Sequence, residues 1–490
     1  MKPVTRLLWT LLLAACLFAP AAWGEESPVA AGVVSISVTS QAYDQLMPWI
    51  KNAEQSATGN AVVVRGHKLI TTADLVKNAT LIEVRKFGRY PDYPAKLTLV
   101  DYDLNLALLE VDDPDFWKGL HPLPLSKRPV QVGHFTINRW RANGRFEQGT
   151  GEVSDVLVSS SPYGLMEYPV MRGTTNMGGL GWSEVLTHDG EVVGLIIGHS
   201  EQRIQAINSD LLRLLVEASE RKPFSGFAHR GFSWQRLNQK SLRAYLGLQH
   251  SKTGVLVRRV FTGGTGSTEL KPMDILHRIA GYAINPEGRI DHPTYGLISF
   301  TMAINASLAP TVPVVIERNG KRMKLELKRR RFQSDDYRIP PPQFDRANDF
   351  VVFGGLVLQE LTVGYLQAWG NDWRDKAPPR LVIEYAMHSL RDPGSPPERV
   401  VFISRVLPDQ ANVGYEDVTN AIVLSADGKP IHSLNAFREA TRDPKGPYDE
   451  IDLLPGSGRG KLIFDHAELD AINERVRSRY GIPPARTPRY

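Results

Sequence analysis

Between residues 33 and 200, apolar positions recur in short β-branched runs separated by turn residues. Val34, Ile36 and Val38 alternate with small polar residues. Ala61 to Val64, Leu81 to Val84, Ala95 to Val100, Leu104 to Val111 and Val192 to Ile197 continue the series. Short runs of this kind predict strands, and strands at this spacing predict an all-β barrel or sandwich. At Asn208-Ser209-Asp210 the period lengthens. Leu211, Leu212, Leu214 and Leu215 form a helical stripe behind a capping residue. Ser219 to Gly226 is polar and holds Pro223, which suits a domain boundary. A last helix is predicted near the end of the chain, opened by Asp465 and Glu468 as a capping-box pair. Leu469, Ile472, Val476 and Tyr480 make its buried stripe, and Gly481 with Pro483 stops it.

The second half contains an internal repeat. Val255-Leu256-Val257-Arg258-Arg259-Val260 matches Val401-Phe402-Ile403-Ser404-Arg405-Val406 at an offset of 146, and Asp274-Ile275-Leu276 to Gly281 matches Asn420-Ala421-Ile422 to Gly428. Each copy reads as strand, small-residue loop, short strand and turn, so two related modules are expected. Between them lie Lys328-Arg329-Arg330-Arg331 and Pro340-Pro341-Pro342. The basic run could touch anionic lipid or RNA, but it comes with no aromatic platform and reads as a solvated linker.

Composition narrows the class. The chain has 490 residues, enough for about three domains. It is 42% hydrophobic and 23% charged, which excludes collagen-like, disordered and coiled-coil chains. Lys2 and Arg6, the apolar stretch Leu7 to Ala19, Pro20 and the small-x-small site Ala22-Trp23-Gly24 read as an export signal over residues 1–24. Leu13-Ala14-Ala15-Cys16 leaves a second reading open, in which Cys16 carries a lipid anchor. Either way a periplasmic or cell-envelope location is expected. After the signal, no apolar run approaches the ~20 residues of a membrane span. Cys16 is the only cysteine, so the cleaved chain would hold no disulfide, thiol nucleophile or cysteine metal site. The net charge of +5 falls to +3 without Lys2 and Arg6, too little to argue for nucleic acid. Twelve histidines show no metal-ligand spacing, and no phosphate loop or nucleotide fingerprint occurs, so no cofactor or metal is expected. Ser183, Ser200, His67, His188 and His199 are residues from which a different hydrolytic site could be drawn, and Gly263-Gly264-Thr265-Gly266 reads as turn chemistry.

Several segments together resemble the Deg/HtrA family of exported serine proteases, in its plant-type branch. They are Asp112 to Gly119, Gly231-Phe232-Ser233-Trp234-Gln235, Leu270 to Leu276, Asn412 to Asp417 and the tail Leu462 to Pro483. The resemblance implies a mainly β chain: a trypsin-like double β-barrel over 25–220, a first PDZ-like domain over 226–332, a linker over 333–348, and a divergent second PDZ-like domain with a C-terminal helix over 349–490. It also locates a catalytic triad whose residues are replaced. Thr71-Thr72-Ala73-Asp74 puts Asp74 where the family has its general-base histidine. Asn105-Leu106-Ala107-Leu108 puts Asn105 where the orienting aspartate belongs. Thr175-Asn176-Met177-Gly178-Gly179 puts Met177 at the serine, with Thr175 in place of a glycine of the oxyanion loop. Met177 has no proton to give and Asp74 is a poor base at neutral pH, so a pseudoprotease is expected. Asp74 can accept and Asn105 can donate, so the two could keep a hydrogen bond. The alternative is a serine-type endopeptidase with a non-standard site or one that needs an active partner subunit.

Without catalysis, binding remains. PDZ domains take an extended peptide as an added strand and hold its terminal carboxylate on backbone amides. By the resemblance, His229-Arg230-Gly231-Phe232 would be the carboxylate loop of the first module. A helix over 298–305 would line an apolar pocket with Ile298 and Met302. The partners expected are peptides or unfolded envelope proteins, in a homo-oligomer that could include an active protease, with no nucleic acid. For the second module the resemblance implies assembly, with Tyr365, Trp369 and Trp373 as either interface anchors or internal core.

Overall fold

A computed structural model describes residues 28–483, apart from 129–131, 222, 225, 443, 445, 457 and 458. The export signal and Cys16 lie outside the described residues. The chain is mainly β. Seven strands form the first sheet: β1 (Val33–Ser40), β2 (Gln55–Val64), β3 (Lys68–Thr71), β4 (Ala79–Arg85), β5 (Tyr93–Pro94), β6 (Lys96–Asp101) and β7 (Leu106–Glu110), in the order 5-4-1-2-3-7-6. Six more close into a barrel: β8 (Gly133–Trp140), β9 (Phe146–Ser160), β10 (Glu167–Thr175), β11 (Val185–His188), β12 (Glu191–Ser200) and β13 (Arg203–Asn208). Alternation fixes which face is buried. On β1, Val34, Ile36 and Val38 enter the core of the first sheet with Leu69, Leu109 and Phe116, while Val33 packs between the two sheets with Leu106, Leu195 and Ile207.

The leucine stripe forms the helix Ser209–Ser219, and Leu211, Leu212, Leu214 and Leu215 are all buried in that inter-sheet core. Asn208 caps it: Oδ1 accepts the Leu211 amide at 3.2 Å, and Nδ2 donates to Tyr295 Oη at 3.0 Å, 87 residues further on. Asn208→Ala removes a buried cap and an inter-unit bond together. We expect it to cost about 1–2 kcal/mol, read as a lower thermal midpoint, with Asn208→Asp recovering the cap but not the Tyr295 bond.

The next sheet carries β14 (Phe232–Gln235), β15 (Val255–Val260), β16 (Ile275–Ile279), β17 (Tyr282–Ala283), β20 (Thr311–Arg318) and β21 (Lys321–Lys328), in the order 14-15-16-20-21 with β17 beside β16. The hairpin β18 (Arg289–His292) and β19 (Gly296–Ser299) packs on it. The last part has a three-stranded sheet, β22 (Phe350–Phe353), β23 (Leu356–Glu360) and β24 (Val401–Val406). A four-stranded one follows: β25 (Val423–Ala426), β26 (Lys429–Pro430), β27 (Tyr448–Leu453) and β28 (Lys461–Asp465), in the order 26-25-27-28. The repeat is visible strand for strand, since β15 and β24 occupy its matched segments. Its turns match too: Ala280-Gly281 and Asp427-Gly428 both have positive φ at both positions, as a two-residue type I′ hairpin needs. The final helix, His466–Tyr480, buries Leu469, Ile472 and Val476 and ends on Gly481 at φ 61°. Tyr480 is only half-buried, and the Asp465 carboxylate caps the Ala467 amide at 3.0 Å.

Three expectations are corrected. The basic run is not a solvated linker. Arg329 is wound into backbone carbonyls, donating Nε to Ile304 O at 2.6 Å and Nη1 to Ala309 O at 3.1 Å, and Arg331 ion-pairs with Asp103 at 3.1 Å. The stretch 333–348 is folded too, with Tyr337, Ile339 and Pro340 buried. Residues 298–305 are not one helix: Ile298 sits on β19 opposite Ile290, and only Phe300–Ile304 winds into a 3-10 turn. The β-branched Ile298 suits the strand, and Gly296 at φ 64° makes the hairpin turn before it. Of the open pair of readings for the aromatics, the core one holds for Tyr365 and Trp373, which are buried with Leu361, Leu381 and Phe402, while Trp369 packs half-buried against them.

Candidate functional site

Asp74 stands on the first turn of the short helix Ala73–Val76, directly after β3. Asn105 faces it from the β6–β7 turn, where its φ of 56° is a left-handed conformation that asparagine tolerates. The two are joined twice. The Asp74 amide donates to Asn105 Oδ1 at 2.9 Å, and Asn105 Nδ2 donates to Asp74 Oδ2 at 3.1 Å. The other carboxylate oxygen accepts from Lys77 Nζ at 2.8 Å and from the Tyr163 hydroxyl, which lies 2.6 Å from the same ammonium. Burial and the Asp74 charge push the Tyr163 hydroxyl well above its ordinary range, so it stays a donor. Both carboxylate oxygens are therefore committed to donors, and neither is aimed at a hydroxyl it could deprotonate.

The loop after β10 is tied back to β9. Thr175 Oγ1 donates to Thr150 O at 2.9 Å and accepts the Met177 amide at 3.0 Å. The Asn176 amide donates to Thr150 O at 3.2 Å, and Asn176 Oδ1 accepts the Thr150 amide at 3.1 Å. In a trypsin-type site the amide of the nucleophile residue is one of the two oxyanion donors. Here the Met177 amide is taken by the Thr175 hydroxyl oxygen. Met177 itself is 6% exposed and packs with Phe135, Met171, Leu186 and Ile196 in the closed barrel. Buried Arg139 takes the Gly178 carbonyl at 2.9 Å and the Gly179 carbonyl, and pairs with Glu147 at 2.7 Å. Arg141 and Arg139 hold the Glu147 carboxyl at about 2.

The part of the loop that reaches the turn before Asp74 is Trp182-Ser183. Trp182 O accepts the Asn60 amide at 3.0 Å. Ser183 Oγ, fully buried, accepts the Thr72 amide and the Thr71 hydroxyl, each at 3.1 Å, and lies 2.7 Å from Thr72 Oγ1. Its hydroxyl is spent on threonines. The other candidates are apart: His67 stacks on Trp117, His188 lies 3.1 Å from His134 O, and His199 and Ser200 are exposed. Among the described residues, no group of three histidine, aspartate or glutamate side chains is placed to hold a metal.

The proposed carboxylate loop is built into a joint. His229 Nδ1 accepts the Phe332 amide at 3.2 Å, so the ring proton sits on Nε2, 3.1 Å from Asp103 Oδ2. Arg230 Nε pairs with Glu167 of β10 at 2.8 Å, and its Nη1 donates to Phe232 O. A Cβ on Gly231 would lie 2.6 Å from the Gly264 carbonyl carbon, so glycine is required there by backbone contact with the 263–266 turn. Phe232, Ile298 and Met302 are core residues of this unit. Ile298 is closed into that core, whereas Met302 also lines a cavity of about 660 Å³ with Tyr295 and Asn305, whose Nδ2 donates to Glu167 O at 2.7 Å.

Sequence reasoning missed the partners of His229. Asp101 and Asp103, four and two residues before Asn105, meet His229 and Arg331 in one buried cluster. Burial and the neighbouring Asp103 push Asp101 up to about 6. Burial would also raise Asp103, but His229 and Arg331 outweigh it and hold that carboxyl low. Asp103 and Arg331 lie 228 residues apart, so no local sequence signal pairs them.

A seven-stranded sheet packed on a closed six-stranded barrel, followed by a PDZ-type part, defines the class of fold. A family model described as PDZ domain matches residues 339–489. The chain is 27% identical over 466 residues to Protease Do-like 2, chloroplastic, of Arabidopsis thaliana, covering 93% of this chain and 74% of that protein. It is 25% identical to Putative protease Do-like 3, mitochondrial, of the same plant, covering 92% and 79%. The solved structure of the HtrA-type protease AlgW with decapeptide aligns with 62% of this chain and 98% of its own, at 17% identity and a TM-score of 0.45. Along more than nine tenths of its length the chain is similar to these Do-like proteases, and its last third matches the PDZ domain model.

Proposed function

We propose that this chain is a Deg/HtrA member: an exported, catalytically silent protein of the cell envelope that binds peptide termini or unfolded segments. It would act as an oligomeric scaffold, adaptor or chaperone in protein quality control, with a domain order of barrel pair, first PDZ-like unit over 226–332 and second over 349–490. The observation that carries the reading is the double hydrogen bond between Asp74 and Asn105. The general base and its orienting acid are replaced by a carboxylate and an amide that satisfy each other, and the hydroxyls of the loop after β10, Thr175 and Ser183, are bonded to Thr150 O and to Thr71 and Thr72. Losing one key triad member in such a protease costs on the order of 10⁶ in turnover, and losing the rest costs little more. No helix of the described residues is long and apolar enough to cross a membrane. The test uses residues 25–490 with casein, followed by mass spectrometry of the intact substrate over a day, with Met177→Ala alongside. Casein intact in both samples is the expected result. Cleavage that responds to the Met177 change would refute the silent site.

A further inference from the structure

Resting on the peptide-binding reading, we infer that the terminus of the bound peptide is read in a chamber roofed by the second PDZ-like unit, with Arg374 receiving its carboxylate. The chamber has a volume of about 780 Å³. Its walls come from every part of the chain: Lys77 beside Asp74, the β9–β10 turn, Arg230 and Ser233 at the start of the first PDZ-like sheet, the 337–341 segment, and the inserted helices Trp373–Lys376 and Pro379–His388. One side is a sheet edge. β14 ends its sheet, paired with β15 alone; Arg230 takes the Phe232 carbonyl, and the rest of the outer edge, Ser233 to Gln235, can accept an added strand, with Ser233 lining the chamber.

The lining selects the occupant. Tyr163, Phe261, Tyr337, Trp373 and Tyr385 supply aromatic walls suited to an apolar last side chain. Three cations line the chamber against one carboxylate, Glu167. Lys77 is neutralised by Asp74 and Arg230 by Glu167. Arg374 is different. Its guanidinium lies over the Trp373 ring at 4.4 Å, it is exposed, and no carboxylate of the described residues pairs with it. A stacked guanidinium presents its fork in a fixed plane, the geometry that takes a carboxylate through two parallel bonds. The loop His229 to Phe232 does not compete for this role as it stands: the His229 amide donates to Arg330 O at 2.8 Å, the Gly231 amide to Thr265 O at 2.9 Å, and the Arg230 side chain is spent on Glu167 and the Phe232 carbonyl. The occupant is therefore an extended peptide with a free C-terminal carboxylate and an apolar final residue.

The experiment measures fluorescence anisotropy of a labelled decapeptide ending in two leucines, as the free acid and as the C-terminal amide, on residues 25–490. The native chain should bind the acid at least tenfold more tightly than the amide. Arg374→Glu should weaken the acid at least tenfold and leave the amide unchanged. Arg374→Met keeps the stem over Trp373 and removes only the charge, so it should behave like Arg374→Glu if the fold is intact by circular dichroism. Acid binding that survives both substitutions would place the terminus elsewhere and overturn the chamber while leaving peptide binding standing. Failure of the native chain to bind either peptide would overturn both.

Discussion

Arg331→Met is expected to cost about 3–5 kcal/mol, because it strands two buried carboxylates that no other cation can reach except through His229. Asp101 Oδ2 already lacks a hydrogen bond, its nearest cation being Arg331 Nη1 at 3.6 Å. The loss should appear first as a lower-temperature transition in calorimetry. Faster amide exchange over 226–332 should accompany it, since the cluster ties that unit to the β6–β7 turn. The pH dependence has two limbs of opposite sign. Asp101 has a folded value near 6, above its ordinary ~3.9, so its charged form opposes folding at neutral pH. As pH falls from above 6 towards 4 it protonates earlier in the fold than in the unfolded chain, and stability rises by on the order of 2–3 kcal/mol. Asp103 is held low, so its contribution is present above ~3.9 and is lost as pH falls through its depressed folded value. His229, Arg331, Tyr337 and Tyr168 face these carboxyls and complete the charge environment. Asp101→Asn should raise the midpoint at pH 7.5 and erase the upper limb only. A midpoint that falls monotonically from pH 7 to 4 in the native chain would contradict this account.

What was readable in the sequence was what local physics determines. The strands at Val255–Val260 and Val401–Val406, the two tight turns with glycine second, and the leucine stripe behind Asn208 all follow from alternation, capping and turn chemistry within a few residues. The hydrogen bond between Asp74 and Asn105 was readable too, because both positions lie in motifs and their donor and acceptor inventory is complementary. Three things were hidden for physical reasons. His229 finds Asp103 across 126 residues, and no local pattern marks such a partner. Ile298 and Met302 are spaced for a helix, but a strand followed by a 3-10 turn buries both as well. The arginines after β21 look solvated by composition, yet carbonyl ends and buried carboxylates from distant segments take them in. The loop at Met177 was legible in its chemistry and not in its direction, since the hydrogen bonds of Thr175 and Asn176 to Thr150 decide which way it faces.

That direction yields the last expected result. The variant combining Asp74→His, Asn105→Asp and Met177→Ser restores the three triad residue types at their motif positions, and it should still leave casein intact. A nucleophile needs a base within hydrogen-bond reach and an oxyanion site formed by free amides. At position 177 a hydroxyl would replace a side chain packed in the barrel core among Phe135, Met171 and Leu186. Its amide would remain bonded to Thr175 Oγ1, so one oxyanion donor stays unavailable. Arg139 would still hold the Gly178 and Gly179 carbonyls and fix the loop. An imidazole at 74 would meet Lys77 and Tyr163, and its cationic form would lie beside an ammonium. Each obstacle is separate from the triad itself, so restoring residue types does not restore geometry. Removing one oxyanion donor alone costs about 10²–10³ in turnover. Adding Thr175→Gly releases the Met177 amide and is the one further change that should let a trace of cleavage appear, read by mass spectrometry as new casein termini. Robust hydrolysis by the triple variant without it would mean that the loop already reorganises to an active form, and that loss of the side chains alone keeps the native chain silent.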